Sequence, residues 1–308
     1  MKNQRIVITG GAGFIGSHLT SKLVEMGNEV VVVDILLRGN KIPKDVQSKI
    51  EFHQIDVCDF NAMAKICKGA DLVFHFAAIL GVDIVADNPI ETMETEVNGM
   101  QSVAHAAAVN GIRHIVYAST SGVYGHLALE QSVSEEILVD PRTSYAMAKR
   151  YNEIYLASLF EEKGIHSVAL RFFNIYGLRQ DNRMVIPRFI EQAMAGESLT
   201  VYGTGEQTRD FTYVDDAIQS TIKLAENING FEIYNIANEK EATILDLAKE
   251  IIQVTGSNSD IKLINAPSKR YDYEVGRRYG SSEKLEKKIG YKPRTDLQSG
   301  LKTILPTV

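Results

Sequence analysis

Tyr145 and Lys149 stand four residues apart in a segment, 144–150, whose composition is typical of a helix. Both side chains then share one helix face. An ammonium close to a tyrosine hydroxyl favours the phenolate, and lowering a phenol pKa from about 10 to near neutrality needs roughly 4 kcal/mol of differential stabilisation. Such a tyrosine is a candidate general base. The same spacing also occurs by chance, so the pair alone does not establish a site.

A glycine-rich turn follows the first predicted strand and opens the first predicted helix. Its glycines, Gly10, Gly13 and Gly16, have the spacing G-x-x-G-x-x-G. Glycine there permits a tight turn and lets a pyrophosphate approach the amides at the helix N-terminus. Asp34 ends the second predicted strand eighteen residues after Gly16, where a carboxylate accepts hydrogen bonds from a ribose 2′-hydroxyl. We therefore expect a dinucleotide site that prefers NAD to NADP, because the carboxylate repels a 2′-phosphate.

The composition excludes several classes of protein. A chain of 308 residues with 44% hydrophobic and 23% charged residues can bury a sizeable core. Its net charge of -6 and the lack of a long basic run argue against a nucleic-acid binder or a membrane-surface protein. Two cysteines, Cys58 and Cys67, make neither a disulfide framework nor a metal motif. With no signal-peptide core and no span-length apolar run, we expect a cytoplasmic protein.

The elements that must position these residues alternate along the first half of the chain. Short β-branched runs are predicted as strands over 6–9, 30–34, 50–56, 72–76, 114–119 and 167–171. Amphipathic segments between them are predicted as helices over 14–26, 61–67, 90–110 and 144–163. This order predicts βαβ units and an α/β fold with a Rossmann-type, doubly wound parallel sheet. The stretch 125–143 is predicted as a long loop.

The pattern changes after Arg171. We predict a helix over 185–195, a strand over 199–202 and a helix from about Asp215, and the stretch 243–254 is amphipathic. The strand predicted over 233–236 is expected to rejoin the main sheet. The remaining segments are expected to form a smaller lobe.

Five further segments match motifs of one known family, together with the glycine turn, Asp34 and the Tyr145/Lys149 pair. They are 96–99 (Glu-Val-Asn-Gly), 118–125, 171–177, 199–203 and 209–216. With them the sequence resembles, over nearly its whole length, the extended short-chain dehydrogenase/reductase family, specifically its NAD-dependent nucleotide-sugar epimerases and dehydratases. The resemblance implies NAD as cofactor, a nucleotide-diphosphate sugar (UDP expected) as substrate, and a homodimer formed through the helices 90–110 and 144–163. It implies an NAD-binding Rossmann domain, 1–173 with 208–240, and a nucleotide-sugar lobe, 174–207 with 241–308.

The resemblance also assigns the chemistry. Tyr145 is implied to remove a sugar hydroxyl proton as hydride passes to NAD, which gives a keto-sugar. Lys149 is implied to lower the pKa of that tyrosine and to hold the nicotinamide ribose. Thr120 matches the Ser/Thr that hydrogen-bonds the reacting hydroxyl.

Position by position, the implied cofactor contacts are Gly10, Gly13, Phe14, Ile15, Gly16, Asp34, Asp56, Val57, Ala77, Ala78, Asn98, Tyr145, Lys149 and Phe173. The implied substrate contacts are Ser121, Asn174, Tyr202, Arg209 and Arg277, with Arg278 an equal alternative for the second phosphate clamp. Asp215-Asp216 is expected to be structural, because acids favour a helix N-terminus.

The residues after Thr120 bear on the reaction. Dehydratases of this family carry Asp-Glu there, and UDP-glucuronate decarboxylases typically carry glutamate where this chain has Gly122. Small residues favour 4-epimerisation of a UDP-hexose, a UDP-uronic acid or a UDP-N-acetylhexosamine through a 4-keto intermediate. A dehydratase is the alternative, and a UDP-glucuronate decarboxylase or a non-catalytic NAD sensor is less expected. The loop near Leu80 departs from UDP-galactose 4-epimerases, which leaves the sugar open and makes Asp83 a possible stand-in acid.

Overall fold

A computed structural model describes residues 1–79, 82–125, 132–265 and 276–305, and within these it leaves the side chains of 82–84 undescribed. Its centre is a seven-stranded sheet in which every neighbouring pair is parallel. In spatial order the strands are β11 (Phe231–Ile236), β6 (His166–Phe172), β5 (His114–Thr120), β4 (Leu72–His75), β1 (Arg5–Thr9), β2 (Glu29–Val33) and β3 (Glu51–His53). The Rossmann-type parallel sheet predicted from the sequence is confirmed.

Helices cover both faces of this sheet. One core contains Ile6 and Ile8, whereas Val7 between them belongs to the other, as expected when successive strand residues point to opposite faces. The first face is covered by α1 (Phe14–Glu25), α8 (Val214–Ala225) and α10 (Glu283–Ile289); the second by α3 (Phe60–Ile66), α5 (Pro89–Asn110) and α6 (Ser144–Lys163). Burial on both faces explains the unbroken run Val30–Val33, whose members are at most 1% exposed.

A further core forms in the second half of the chain. It joins α7 (Val185–Met194), β8 (Leu199–Tyr202), α9 (Ile244–Thr255) and α11 (Leu297–Ile304), with β13 (Ile261–Ile264) parallel to β8. Two small sheets pair β7 (Ile175–Tyr176) with β10 (Thr212–Tyr213) and β9 (Thr208–Asp210) with β12 (Glu241–Thr243). Short helices α2 (Lys44–Gln47) and α4 (Val82–Asp87) complete the described elements. Leu285 of α10 packs in the core on the main sheet. The predicted division into two domains stays a prediction.

Local signals set several boundaries. Thr143 caps α6 by accepting the Ala146 amide at 3.1 Å, and Gly164 ends it in a left-handed conformation, so the helix has its predicted bounds. The strand predicted over 233–236 does rejoin the sheet, beside β6. The strand predicted over 50–56 is shorter, because it lies at the sheet edge and pairs with β2 over three residues only. No helix of the described residues has the length and apolar character that crossing a membrane requires.

Candidate active site

Parallel strands end at one edge of the sheet, and the predicted site residues lie at that edge. Gly10 follows β1, Asp34 follows β2, Asp56 comes after β3, Ala77 after β4, and Thr120 ends β5. Ligands of doubly wound sheets bind outside the carboxyl ends of the strands. The topology therefore brings residues from five separate segments to one cleft.

The glycine turn has the shape that a bound pyrophosphate requires. Gly10 has a φ of +68°, and a Cβ there would lie 2.6 Å from main-chain atoms that follow β4. A Cβ on Gly16 would lie 2.0 Å from the Gly10 carbonyl oxygen. Gly13 precedes α1, so the amides of Phe14 and Ile15 belong to a helix start, where amides lack intrahelical partners. These residues fit the phosphates of a dinucleotide.

Asp34 is fixed at the end of β2. Its Oδ2 accepts the Ala12 amide at 3.0 Å, and its Oδ1 accepts the Leu36 amide at 2.8 Å. Burial raises the pKa of Asp34, and these amide hydrogen bonds oppose the rise. The carboxylate is thus held beside the glycine turn, where a cofactor ribose would lie.

The remaining predicted cofactor residues differ in their placement. Asp56 is exposed and accepts the Cys58 amide at 2.8 Å, whereas Val57 is buried. Ala77 and Ala78 are half-buried in the segment after β4. Phe173 is fully buried in a core cluster with Tyr124, so only its main chain can reach a cofactor.

Asn98 and Glu96 lie on different sides of α5, and the predicted contact of Asn98 with the cofactor stays a prediction. The Asn98 side chain is exposed, whereas Glu96, two residues earlier on α5, is 1% exposed and lies against Lys149. Positions i and i+2 of a helix do not share a face. Glu96 could have been found from its spacing with Thr92 and Met100, since positions four apart form the buried stripe of α5.

The three predicted catalytic residues meet at the start of α6. Thr120 Oγ1 accepts the Gly122 amide at 3.0 Å, which leaves its own hydroxyl hydrogen to donate to a ligand. Lys149 Nζ lies 5.3 Å from the centroid of the Tyr145 ring, 4.7 Å from that of Tyr117 and 2.9 Å from Glu96 Oε2.

The electrostatics at Tyr145 are set by burial and by a nearby carboxylate. Burial, followed by the Glu96 charge, raises the pKa of Tyr145 well above its ordinary value. The Lys149 ammonium lies 2.9 Å from that same carboxylate, and its predicted role in lowering the pKa of Tyr145 stays a prediction.

A second buried ion pair anchors the catalytic helix to the sheet. Glu153 of α6 accepts two hydrogen bonds from Arg171 of β6, at 2.9 and 2.8 Å, and one from Ser119 of β5 at 2.7 Å. The Glu153 side chain is 0% exposed and the Arg171 side chain 2% exposed. This contact fixes α6 over the strand that carries Thr120.

The predicted substrate residues come from several separate segments of the chain. Ser121 is buried in the 3₁₀ turn after Thr120, and Asn174 is half-buried after β6, its carbonyl accepting the Thr212 amide at 3.2 Å. Tyr202 ends β8, and the Arg188 guanidinium lies 5.1 Å from its ring centroid.

Three arginines come from β9 and the segment before α10. Arg209 donates to the Thr208 carbonyl at 2.7 Å, and Arg277 pairs with Glu241 at 2.8 Å. Arg278 donates to the Gly125 carbonyl at 3.3 Å; burial, followed by the charge of Arg209, lowers its pKa to about 10. A half-buried guanidinium whose pKa is lowered in part by a second cation favours an anionic ligand nearby.

Other expectations fall outside this geometry. Leu80 is not among the described residues, and neither is the Asp83 side chain. Asp216 accepts the Arg294 and Thr295 amides at 3.1 and 2.8 Å, a structural contact that ties α8 to the C-terminal segment. Among the described residues no cluster of His, Cys, Asp and Glu could hold a metal ion.

Comparison with known proteins agrees with this geometry. The family model described as NAD dependent epimerase/dehydratase family matches residues 6–237. A UDP-N-acetyl-alpha-D-glucosaminuronate decarboxylase of Bacillus cytotoxicus is 38% identical over 97% of this chain and 96% of its own.

Two solved structures extend the likeness. A UDP-N-acetylglucosamine 4-epimerase from Methanobrevibacter ruminantium, in complex with UDP-N-acetylmuramic acid, has a TM-score of 0.92 and 32% identity, and the match covers 99% of this chain and 97% of that one. The UDP-glucose 4-epimerase of Thermus thermophilus, in complex with NAD, has a TM-score of 0.88 and 27% identity over 97% of both chains. The chain is an enzyme that belongs to the NAD-dependent epimerase/dehydratase family, within the extended short-chain dehydrogenases/reductases, and its cofactor is NAD.

Proposed function

We propose that the enzyme is a nucleotide-sugar 4-epimerase that acts on a UDP-hexose, a UDP-uronic acid or a UDP-N-acetylhexosamine through a 4-keto intermediate. The observation that carries the proposal is the turn after Thr120. Gly122 lies next to Thr120, where a Cβ would be 3.2 Å from Thr120 Oγ1, and as a glycine it places no acidic side chain beside the reacting hydroxyl. Elimination of water needs a separate acid and base, whereas epimerisation does not.

Three carboxylates of the surrounding elements, two buried and one half-buried, already have partners. Glu153 is bonded to Arg171, and Glu135 accepts the Asn235 amide at 2.7 Å. Glu96 is paired with Lys149. None of these three is therefore available to remove a proton from the sugar ring.

In the proposed reaction, Tyr145 accepts the proton of the sugar C4 hydroxyl while Thr120 donates a hydrogen bond to the same oxygen. NAD supplies the chemistry of accepting a hydride and returning it. The C4–H bond breaks with its electron pair leaving on hydrogen, and the oxygen becomes a ketone. Rotation of the keto-sugar presents its other face, and Tyr145 then returns the proton. Asn174 with Arg209 and Arg277 or Arg278 would hold the diphosphate.

Decarboxylation of a UDP-uronic acid is a second candidate, and the Bacillus cytotoxicus relative favours it. In a 4-keto uronic acid the carboxyl group is β to the ketone. Loss of CO₂ leaves the electron pair shared between C5 and the C4 oxygen, so no base has to remove the C5 proton. A proton must only be delivered to C5 before C4 is reduced. Gly122 is therefore compatible with this reaction, whereas the dehydratase alternative loses support.

Product analysis by NMR separates these candidates. The enzyme is incubated with UDP-glucose, UDP-N-acetylglucosamine and the corresponding uronic acids, with Y145F as the matched control. An epimer that keeps every carbon supports the first proposal, whereas CO₂ with a pentose product supports the second. A deoxy or unsaturated sugar, or NAD binding with no turnover of any substrate, would contradict both.

We also propose that two copies associate through α5 and α6. These helices expose Ile90, Met93, Met147, Tyr151 and Ile154, at 72%, 39%, 45%, 43% and 53%. The small residues Ala104, Ala106 and Ala107 of α5 lie in the core and take no part in this surface. Light scattering of the wild type and I154E, with exposed E161Q as control, tests this: a monomeric wild type would contradict it.

The free thiols Cys58 and Cys67 suit the reducing cytoplasm, where we place the enzyme.

A further inference from the structure

A buried ion pair lies directly behind the proposed catalytic tyrosine. Glu96 of α5 and Lys149 of α6 are each 0% exposed in their side chains, and Nζ lies 2.9 Å from Oε2. Glu96 thus ties α5 to the lysine of α6.

Among the described residues near Glu96, His75 and Cys58 carry no charge near neutral pH. Burial, followed by Lys149, lowers the pKa of His75 to about 3, so its imidazole is neutral. Burial raises the pKa of the Cys58 thiol to about 12. The groups that face Glu96 from the packed elements are Lys149 and Tyr145 from α6, Tyr117 from β5, His75 from β4 and Cys58 after β3.

The balance of charge at Tyr145 follows from these neighbours. Burial raises the pKa of Glu96, and the ammonium 2.9 Å away opposes that rise. A paired carboxylate and ammonium have no net charge, so Lys149 alone cannot hold Tyr145 as a phenolate. A further positive charge at this edge of the sheet is then needed for the tyrosine to release its proton.

We propose that Glu96 is a positioning residue for the catalytic pair: its carboxylate fixes the Lys149 ammonium and offsets its charge, so that Tyr145 keeps its proton until oxidised NAD is bound. The proposal rests on the proposed role of Tyr145 as the base. Under this proposal the pKa of Tyr145 differs between the oxidation stage and the reduction stage of the reaction. With NAD⁺ beside it Tyr145 ionises, and with NADH beside it Tyr145 retains the proton that the keto-sugar must later recover.

Removal of the carboxylate charge tests the proposal. Lys149 and Tyr145 titrate as a coupled pair. When a nearby negative charge is removed, this pair loses its first proton at lower pH, whether that proton comes from the lysine or from the tyrosine. E96Q keeps the shape of the side chain without its charge. The midpoint of Tyr145 ionisation in E96Q should fall by about 1 unit or more, the size expected for a charge this close.

Ultraviolet titration of tyrosinate in the NAD-loaded enzyme measures this midpoint. The Tyr145 signal is the difference between E96Q and E96Q/Y145F, compared with that between wild type and Y145F. E94Q, on the exposed side of α5, is the matched control and should titrate as wild type. An unchanged midpoint in folded E96Q would show that Glu96 is protonated or only structural, and would overturn the proposal.

A second measurement needs no substitution at Glu96. The Tyr145 signal of the wild type should titrate at lower pH with NAD⁺ bound than with NADH bound, and equal midpoints would also overturn the proposal. Neither measurement uses a sugar. A failure to turn over any UDP-sugar would therefore count against the proposed function and leave the Glu96 result intact.

Discussion

The ion pair between Glu153 and Arg171 offers the sharpest test of how the catalytic helix is held. Glu153 accepts three hydrogen bonds from Ser119 and Arg171, of 2.7 to 2.9 Å, and its carboxylate is 0% exposed. E153Q leaves the buried Arg171 guanidinium without its counter-charge. Breaking a buried pair in this way costs roughly 3–5 kcal/mol. Because Arg171 still donates to the Tyr124 hydroxyl at 2.9 Å, we expect the lower end, about 3 kcal/mol.

Urea unfolding of E153Q beside wild type measures this cost. About 3 kcal/mol corresponds to roughly a hundredfold rise in the unfolded-to-folded ratio at a given urea concentration. E161Q, on the exposed part of the same helix, should unfold as wild type does. In contrast, E153L/R171M removes both charges and should recover most of the loss, since apolar replacement of a buried pair is often neutral. A loss below about 1 kcal/mol in E153Q would refute the reasoning, because exposed pairs are worth that little.

Three further predictions concern the cofactor, the base and pH. D34S should raise affinity for NADP relative to NAD, because the carboxylate that repels a 2′-phosphate is gone; unchanged relative dissociation constants by calorimetry would contradict this. Y145F should lose roughly 10²–10⁴-fold in kcat while binding NAD as before, and near-normal kcat would remove the base from Tyr145. Burial raises the pKa of Asp210 from 3.8 to about 6. The folded state then binds the extra proton, so the contribution of Asp210 to stability should fall as pH rises from about 4 to about 6, and D210N should flatten that part of the unfolding curve.

Local signals made most of the central sheet predictable. The run Val30–Val33 is apolar throughout because both faces of its strand are covered, and Thr143 and Gly164 mark the ends of α6 by their own capping geometry. The short strands β9 and β12 have three residues each. They form because segments distant in the sequence pair with each other, so no local sequence pattern predicts them.

The candidate site was less predictable where the packing of one helix on another decides which side chain points inward. The predicted contact of Asn98 with the cofactor stays a prediction, whereas the Glu96–Lys149 pair was not predicted, because it depends on how α5 packs against α6. The same packing explains the raised pKa of Tyr145, which depends on a charge 49 residues earlier in the chain. The spacing of Tyr145 and Lys149 within α6 cannot predict that a side chain of α5 lies beside them.

The return of β11 to the sheet beside β6 has a consequence for synthesis of the chain. All but the first residue of β6 are buried, yet its partner is made only after the segment that builds α7, β8 and α8. Until then a nascent chain presents an apolar strand with an unpaired edge, the kind of surface on which chains aggregate. A truncated chain ending before Phe231 therefore has all the proposed catalytic residues but an open sheet edge, and we expect it to aggregate more readily than the full chain.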